Sequence, residues 1–247
     1  MSKEPRLDEQ VISQAAQAAM SSQLEEAEDL SLDVHTDVLK AAQGKADSGS
    51  INGRGVVVQD VRLESMAVQT DRLSVNPLSI LLGHLKLDQP LDATAQIALT
   101  EADLNRAMQA EAVTQRLPPL KLNVDGEPVN VELGQPMTVT LPADGKIGLE
   151  GIALLHEREN VRHVGFAVVI LPRTDEQPVR LESFVCDPGG EGLSLEFTIA
   201  LLQTFKELLA QPYIEIEGMA IKVKRMEIKA GKLLVETEAH IPQMPSL

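Results

Sequence analysis

A chain of 247 residues permits one large domain or two lobes. At 43% hydrophobic and 24% charged it has globular composition, which excludes wholesale disorder, and no stretch approaches the roughly 20 apolar residues of a spanning helix. Its 22 basic and 37 acidic residues give a net charge of −15, which opposes phosphate backbones, and four Phe, one Tyr and no Trp leave few platforms for stacking bases or sugars. Nucleic acid is therefore not an expected partner. Cys186 is alone, so neither an internal disulfide nor a cysteine zinc site is expected. The start, Met1-Ser2-Lys3-Glu4-Pro5, is polar and shows no signal core, which reads as a cytoplasmic protein, at most peripheral to a membrane.

Leu7 to Leu24 reads as a helix. Ile12, Ala16, Met20 and Leu24 recur every four residues beside Val11, Ala15 and Ala19, and the helix would be roughly 27 Å long. From Asp29 to Leu99 the period changes to two. Leu30, Leu32 and Val34 alternate with Ser31, Asp33 and His35. A Gly- and Ser-rich strand, Ala46 to Gly55, runs into Val56-Val57-Val58, and Leu91, Ala93, Ala95, Ile97 and Leu99 alternate cleanly. Such alternation marks antiparallel strands with one wet and one dry face.

A second helix begins after Thr100, whose spacing to Asp103 approximates a capping box. Leu104, Met108 and Ala112 mark its apolar side, and Leu117-Pro118-Pro119 ends it. The Pro pair divides the chain into residues 1–117 and 118–247, two units of one elongated domain. Strands resume, clearest over Lys146–His156, Arg162–Leu171 and Val179–Cys186. After a Pro-Gly-Gly turn comes a third helix, Leu195 to Ala210, with Ser194 as N-cap and an apolar side broad enough to suit cover by a sheet. Strands from Ile214 to Ile241 close the chain.

A weak repeat links Val61–Val75 to Ile221–Val235 at an offset of 160 residues, with three of 15 positions identical. In both copies the apolar face changes phase: Val61 and Leu63 give way to Met66 and Val68, as Ile221 and Val223 give way to Met226 and Ile228. A one-residue slip turns a strand inside out unless a bulge absorbs it. Two helix-plus-curved-sheet units, or a plain α+β domain, fit this pattern.

Thr100-Glu101-Ala102-Asp103-Leu104-Asn105-Arg106-Ala107 follows an alternating strand. Upstream lie Val34-His35-Thr36-Asp37, Gly44-Lys45, the Ser50–Gly55 strand, Gln69-Thr70-Asp71 and Asn76-Pro77-Leu78. In this order the chain resembles the LmeA-like phospholipid-binding family, most densely over residues 8–110. The resemblance implies an α+β fold, a strongly curved antiparallel sheet wrapped around long helices, similar to the tubular (TULIP-like) lipid-binding folds. It also implies an apolar interior that takes acyl chains. Mycobacterial members carry an export signal; none shows here, so their envelope role is not carried over. No catalytic or ligand-contacting residue is carried over either.

On that reading, Val11, Ala15, Ile199, Leu202 and Phe205 are groove candidates, or plain core. The basic run Lys222, Lys224, Arg225, Lys229 and Lys232 breaks the acidic background. Lys222, Lys224 and Arg225 are head-group candidates, or else Lys that guard a sheet edge from pairing. His156-Glu157 and His163 have the wrong spacing for a metal helix. Phosphate-cradling glycines and a nucleophile elbow are absent, so neither catalysis nor a cofactor is expected. The expected function is non-catalytic binding of a phospholipid or fatty acyl chain. An acidic scaffold with a filled interior and a protein partner is the alternative, and a hydrolase using Cys186 or His163 stands third.

Overall fold

The alternating Leu30, Leu32 and Val34 become strand β1 (Asp29–His35) in the computed structural model. It describes residues 13, 26–58, 60–75, 87–110, 120–124, 127–157, 160–187, 195–210, 213–216 and 219–242. Helix α1 (Val38–Ala42) is followed by β2 (Lys45–Val58), β3 (Val61–Ser74), β4 (Leu91–Thr100) and α2 (Glu101–Ala107). Then come β5 (Leu120–Val124), β6 (Glu127–Thr140), β7 (Ile147–Glu157), β8 (Asn160–Leu171) and β9 (Arg180–Asp187). Helix α3 (Leu195–Ala210), β10 (Tyr213–Ile216), β11 (Met219–Lys229) and β12 (Lys232–Ile241) complete the order. The fold is mostly antiparallel sheet and includes a strongly curled half-barrel sheet.

Seven strands form one sheet in the order β1-β2-β3-β4-β12-β11-β10, and five form another in the order β5-β6-β7-β8-β9. Two compact units result. The first comprises Met1–Ala98, Tyr213–Lys224 and Val235–Leu247; the second comprises Leu99–Pro212 and Arg225–Leu234. The last strands thus join the first ones, a long-range pairing that no local pattern announces.

Long helices are not what the described residues show. Helices α1, α2 and α3 have 5, 7 and 16 residues. The expected Leu7–Leu24 helix lies outside the described residues except for Ser13, which is helical and whose Oγ accepts from the Val34 N–H at 3.0 Å. Helix α2 starts on the expected capping box, with Thr100 and Asp103 bonded reciprocally. It stops at Ala107, because Gln109 and Ala110 turn back to the carbonyls of Arg106 and Ala107 in tight three-residue bonds. The Pro118-Pro119 boundary lies outside the described residues. Helix α3 has the expected bounds. Helix α1 was not read from sequence; its N-cap is Asp37, whose Oδ1 accepts from the Lys40 N–H at 2.8 Å.

The phase slip is present, but its first copy is absorbed differently. In β3, Leu63 pairs with Val56 and Met66 with Gly53, with the same register on both sides and no inserted residue. Strand β2 slips in step with β3, through Gly55 at φ +56. A Cβ on Gly53 would run into Val56, which shows these two positions on one face despite their three-residue spacing. In β11 the slip falls on two adjacent exposed residues, Lys224 and Arg225. The likeness of the two copies ends there. Ala230 and Gly231, both at positive φ, turn the second copy into the β11–β12 hairpin, whereas β3 runs on to Ser74.

Candidate functional site

Register assembles one apolar face across the first four strands. Leu32 pairs with Ile51, Ile51 with Val68, and Val68 with Ala95. The neighbouring row is Leu30, Gly53, Met66 and Ile97, and beyond lie Val34, Gly49, Thr70 and Ala93. The opposite face is polar, with rows such as Asp33, Ser50, Gln69 and Thr94. Opposed pairs in an antiparallel ladder point to the same side, so the sheet is amphipathic. Yet the dry face is only half covered. Leu32, Ile51, Met66, Val68 and Ile97 are all half-buried, while Leu30 and Ala93 are buried. At one end of this unit Val75, Leu87 and Leu91 form a small closed cluster, with Leu73 and Ile241 packed on it.

The second unit is packed differently. Of the largest fully buried side chains among the described residues, Met137, Leu155, Leu201, Val131, Val164 and Val168 belong to it, and only Val56 to the first. Here α3 seals the sheet. Leu201 is fully buried, and the Phe205 ring lies 5.6 Å from both Phe166 and Phe184, tilted by 48° and 49°.

The five groove candidates therefore separate. Phe205 is core, packed between two rings. Leu202 is half-buried. Ile199 is 45% exposed, because two residues before Leu201 is about 200° around the helix. Val11 and Ala15 lie outside the described residues. The partly covered aliphatic face of β1–β4 was not among the candidates, although its signal, alternation repeated in consecutive strands, is in the sequence.

The head-group candidates each have a partner. The Lys222 ammonium sits 5.7 Å from the centre of the Tyr213 ring. Lys224 pairs with Glu238 at 3.0 Å. Arg225 pairs with Glu227 at 3.4 Å and Asp175 at 3.8 Å. Exposed pairs of this kind contribute about 0–1 kcal/mol and exchange readily.

The Thr100–Ala107 stretch is spent on architecture. Strand β6 leaves part of one edge without a neighbouring strand, since β5 pairs only with Glu127 to Val131. Helix α2 closes that edge with side chains. The Asn105 amide donates to the Val139 carbonyl and accepts from the Val139 N–H, each at 2.8 Å. Glu101 Oε2 accepts from the Leu141 N–H at 2.7 Å. Asp103, 2% exposed, accepts from the Thr100 N–H and hydroxyl.

Cys186 pairs with Phe166 in register, and burial pushes its thiol up from an ordinary value near 9 to about 11. That suits packing, not nucleophilic attack. His156 meets Glu132 at 3.3 Å, while His163 stands opposite Leu154 one pair along. Among the described residues no three His, Cys, Asp or Glu gather as metal ligands, and no helix is long and apolar enough to cross a membrane. An open hollow of about 450 Å³ lies on the five-stranded sheet, lined by Ile152, Gly165, Ala167 and Val185 among others.

The model of the LmeA-like phospholipid-binding family matches residues 6–238, nearly the whole chain. No curated protein and no solved structure matches significantly. The chain belongs to the LmeA-like phospholipid-binding family.

Proposed function

We propose that this member of the LmeA-like family binds a phospholipid by laying acyl chain along the apolar face of β1–β4, with binding rather than turnover as its activity. The observation that carries the reading is the unequal packing of the two units. One unit has fully buried aliphatic side chains and a sealing helix, while the other holds an aligned aliphatic face half open. About ten methylenes laid on such a face contribute roughly 8 kcal/mol, part of which is offset by ordering and association. Lys222 and Lys224, on β11 in the same unit, are the phosphate contacts of this reading. Their present partners are exposed and weakly held.

Lipid-stripped protein incubated with phosphatidylglycerol or phosphatidylcholine vesicles, re-isolated and weighed by native mass spectrometry, tests it. Bound phospholipid is expected in the parent and at least tenfold less in Val68→Asp and Ile51→Asp. Gln69→Asp, on the polar face of the same strand as Val68, should bind as the parent does. No bound lipid, or equal loss in all three variants, refutes the reading.

A further inference from the structure

The hollow on the five-stranded sheet lies in the second unit and owes nothing to the apolar face of the first. It sits where β6 shifts register between Gly134 and Thr138. Two positions on β8, Gly165 and Ala167, supply almost no side chain at its floor. Ile152, opposite Gly165, and Val185, opposite Ala167, stand around it at 37% and 60% exposure. Val161, 45% exposed, belongs to the same face two pairs further along, since His156 pairs with it. Three of the six exposed large hydrophobics among the described residues thus share one sheet face. Scattered single apolar residues on a surface are ordinary; three on one face, two of them lining a hollow, are not.

The polar side of the hollow is one-sided. Glu150, exposed, pairs with Thr138 on β6 and Ala167 on β8, and all three line the space. No basic side chain is among the described lining residues. Nor does Glu150 have an ion partner among the described residues. The wider field has the same sign, at a net −15. Other charged positions share this face by register: Glu132, matched by His156, and Asp187, opposite Gly165, with Lys121 and Arg180 toward its margins. A carboxylate or phosphate placed beside Glu150 meets repulsion, whereas a cation there meets a carboxylate and a hydroxyl. A volume of about 450 Å³ lies within the range of small-ligand sites.

We propose that this hollow is a second ligand site, taking an alkyl chain that ends in an ammonium group. The chain lies on Gly165 and Ala167 between Ile152 and Val185, and the ammonium faces Glu150 and Thr138. The site is independent of the acyl face of β1–β4 and can fail or stand without it.

Methyl-labelled protein titrated with n-decylammonium and, separately, with decanoate, both below micelle formation, tests this by NMR. Decylammonium is expected to shift the Ile152 and Val185 methyls, with decanoate about tenfold weaker there. Glu150→Gln should bring the two probes to near-equal affinity. Ala167→Phe, which fills the floor at a half-exposed strand position, should remove both responses while the remaining methyl spectrum stays dispersed. Should that variant misfold, Val185→Ser gives the same weakening with less bulk. Decanoate binding as well as decylammonium in the parent, or shifts confined to Ile51 and Val68, overturns the proposal. The second of those outcomes would leave the phospholipid reading standing.

Discussion

Removing the Asn105 side chain should destabilise the protein by about 3 kcal/mol. Its amide replaces a neighbouring strand at Val139, giving one bond to the N–H and one to the carbonyl, both at 2.8 Å. Val139 itself is 7% exposed, so water has poor access to the orphaned pair. Each backbone group left unsatisfied costs about 1–3 kcal/mol, which places the sum between about 2 and 6 kcal/mol. The third bond, to the Glu101 carbonyl at 2.9 Å, is exposed and is replaced by water. Asn105→Asp keeps the acceptor but sets a carboxylate against the Val139 carbonyl, so it should be at least as damaging as Asn105→Ala. Equilibrium urea unfolding, with the slope checked for two-state behaviour, measures both. For a chain of this size, about 3 kcal/mol corresponds to roughly 6–12 °C in Tm. A loss below about 0.5 kcal/mol for Asn105→Ala, or parent-like stability for Asn105→Asp, refutes the argument that this amide stands in for a strand.

Phe205→Ala should cost about 3–5 kcal/mol, since it opens a cavity between Phe166 and Phe184, and thermal unfolding by circular dichroism reads it. Gly55→Ala should cost about 1–2 kcal/mol, because φ is +56 and the new Cβ overlaps the Glu28 side chain; Gly145→Ala, also at positive φ but with open space around it, should cost less. For Cys186, a thiol raised to about 11 holds little thiolate at pH 8, so iodoacetamide should label it about a hundredfold more slowly than a free cysteine peptide, with the rate climbing toward pH 11. The same shift has a sign for stability. The unfolded thiol ionises near 9 and the folded one near 11, so unfolding becomes easier as pH rises between those values, and Cys186→Ala should flatten that slope.

Strands and helix α3 were legible because their signals are local. Alternation located β1, β2, β4, β7, β8 and β9 to within a residue or two, and the broad apolar side of Leu195–Ala210 gave α3 its bounds. Thr100 with Asp103 gave the start of α2, but nothing marked its early stop, since Met108 to Ala112 is good helix sequence. Past Ala107 the chain tightens into the three-residue bonds of Gln109 and Ala110, while the helix itself is tied to β6 through Glu101 and Asn105, contacts 40 and 34 residues away in sequence. The phase slip was visible in β3, while its cause, Gly55, sits in the partner strand. The placement of β12 beside β4 depends on pairing across more than a hundred residues. Site residues were harder to read for one physical reason. An apolar residue reads alike whether side chains or ligand cover it, so Phe205 and Val68 looked equivalent until burial separated them.

The two sheets answer the same requirement in different ways. Each has a dry face that folding should remove from water. In the second unit Leu201 and Phe205 do so, leaving Val131, Ala153, Leu155 and Val164 without exposure. In the first, Leu32, Ile51, Met66, Val68 and Ile97 stay partly exposed in register across β1–β4. Full burial of such a side chain contributes about 1.5–3 kcal/mol, so the fraction still exposed, at most about a third, leaves on the order of 0.5 kcal/mol apiece unrealised by folding. Larger side chains at Gly49 or Ala95 could capture it, but the rows there are built small. A tail laid in that space recovers about 2–3 kcal/mol from these five residues, in addition to its own desolvation. On this view, filling the face from within, by Ala95→Leu, should raise stability while lowering phospholipid uptake. Urea unfolding and native mass spectrometry on the same variant must then move in opposite directions. If both rise together, the half-open face is unrelated to lipid.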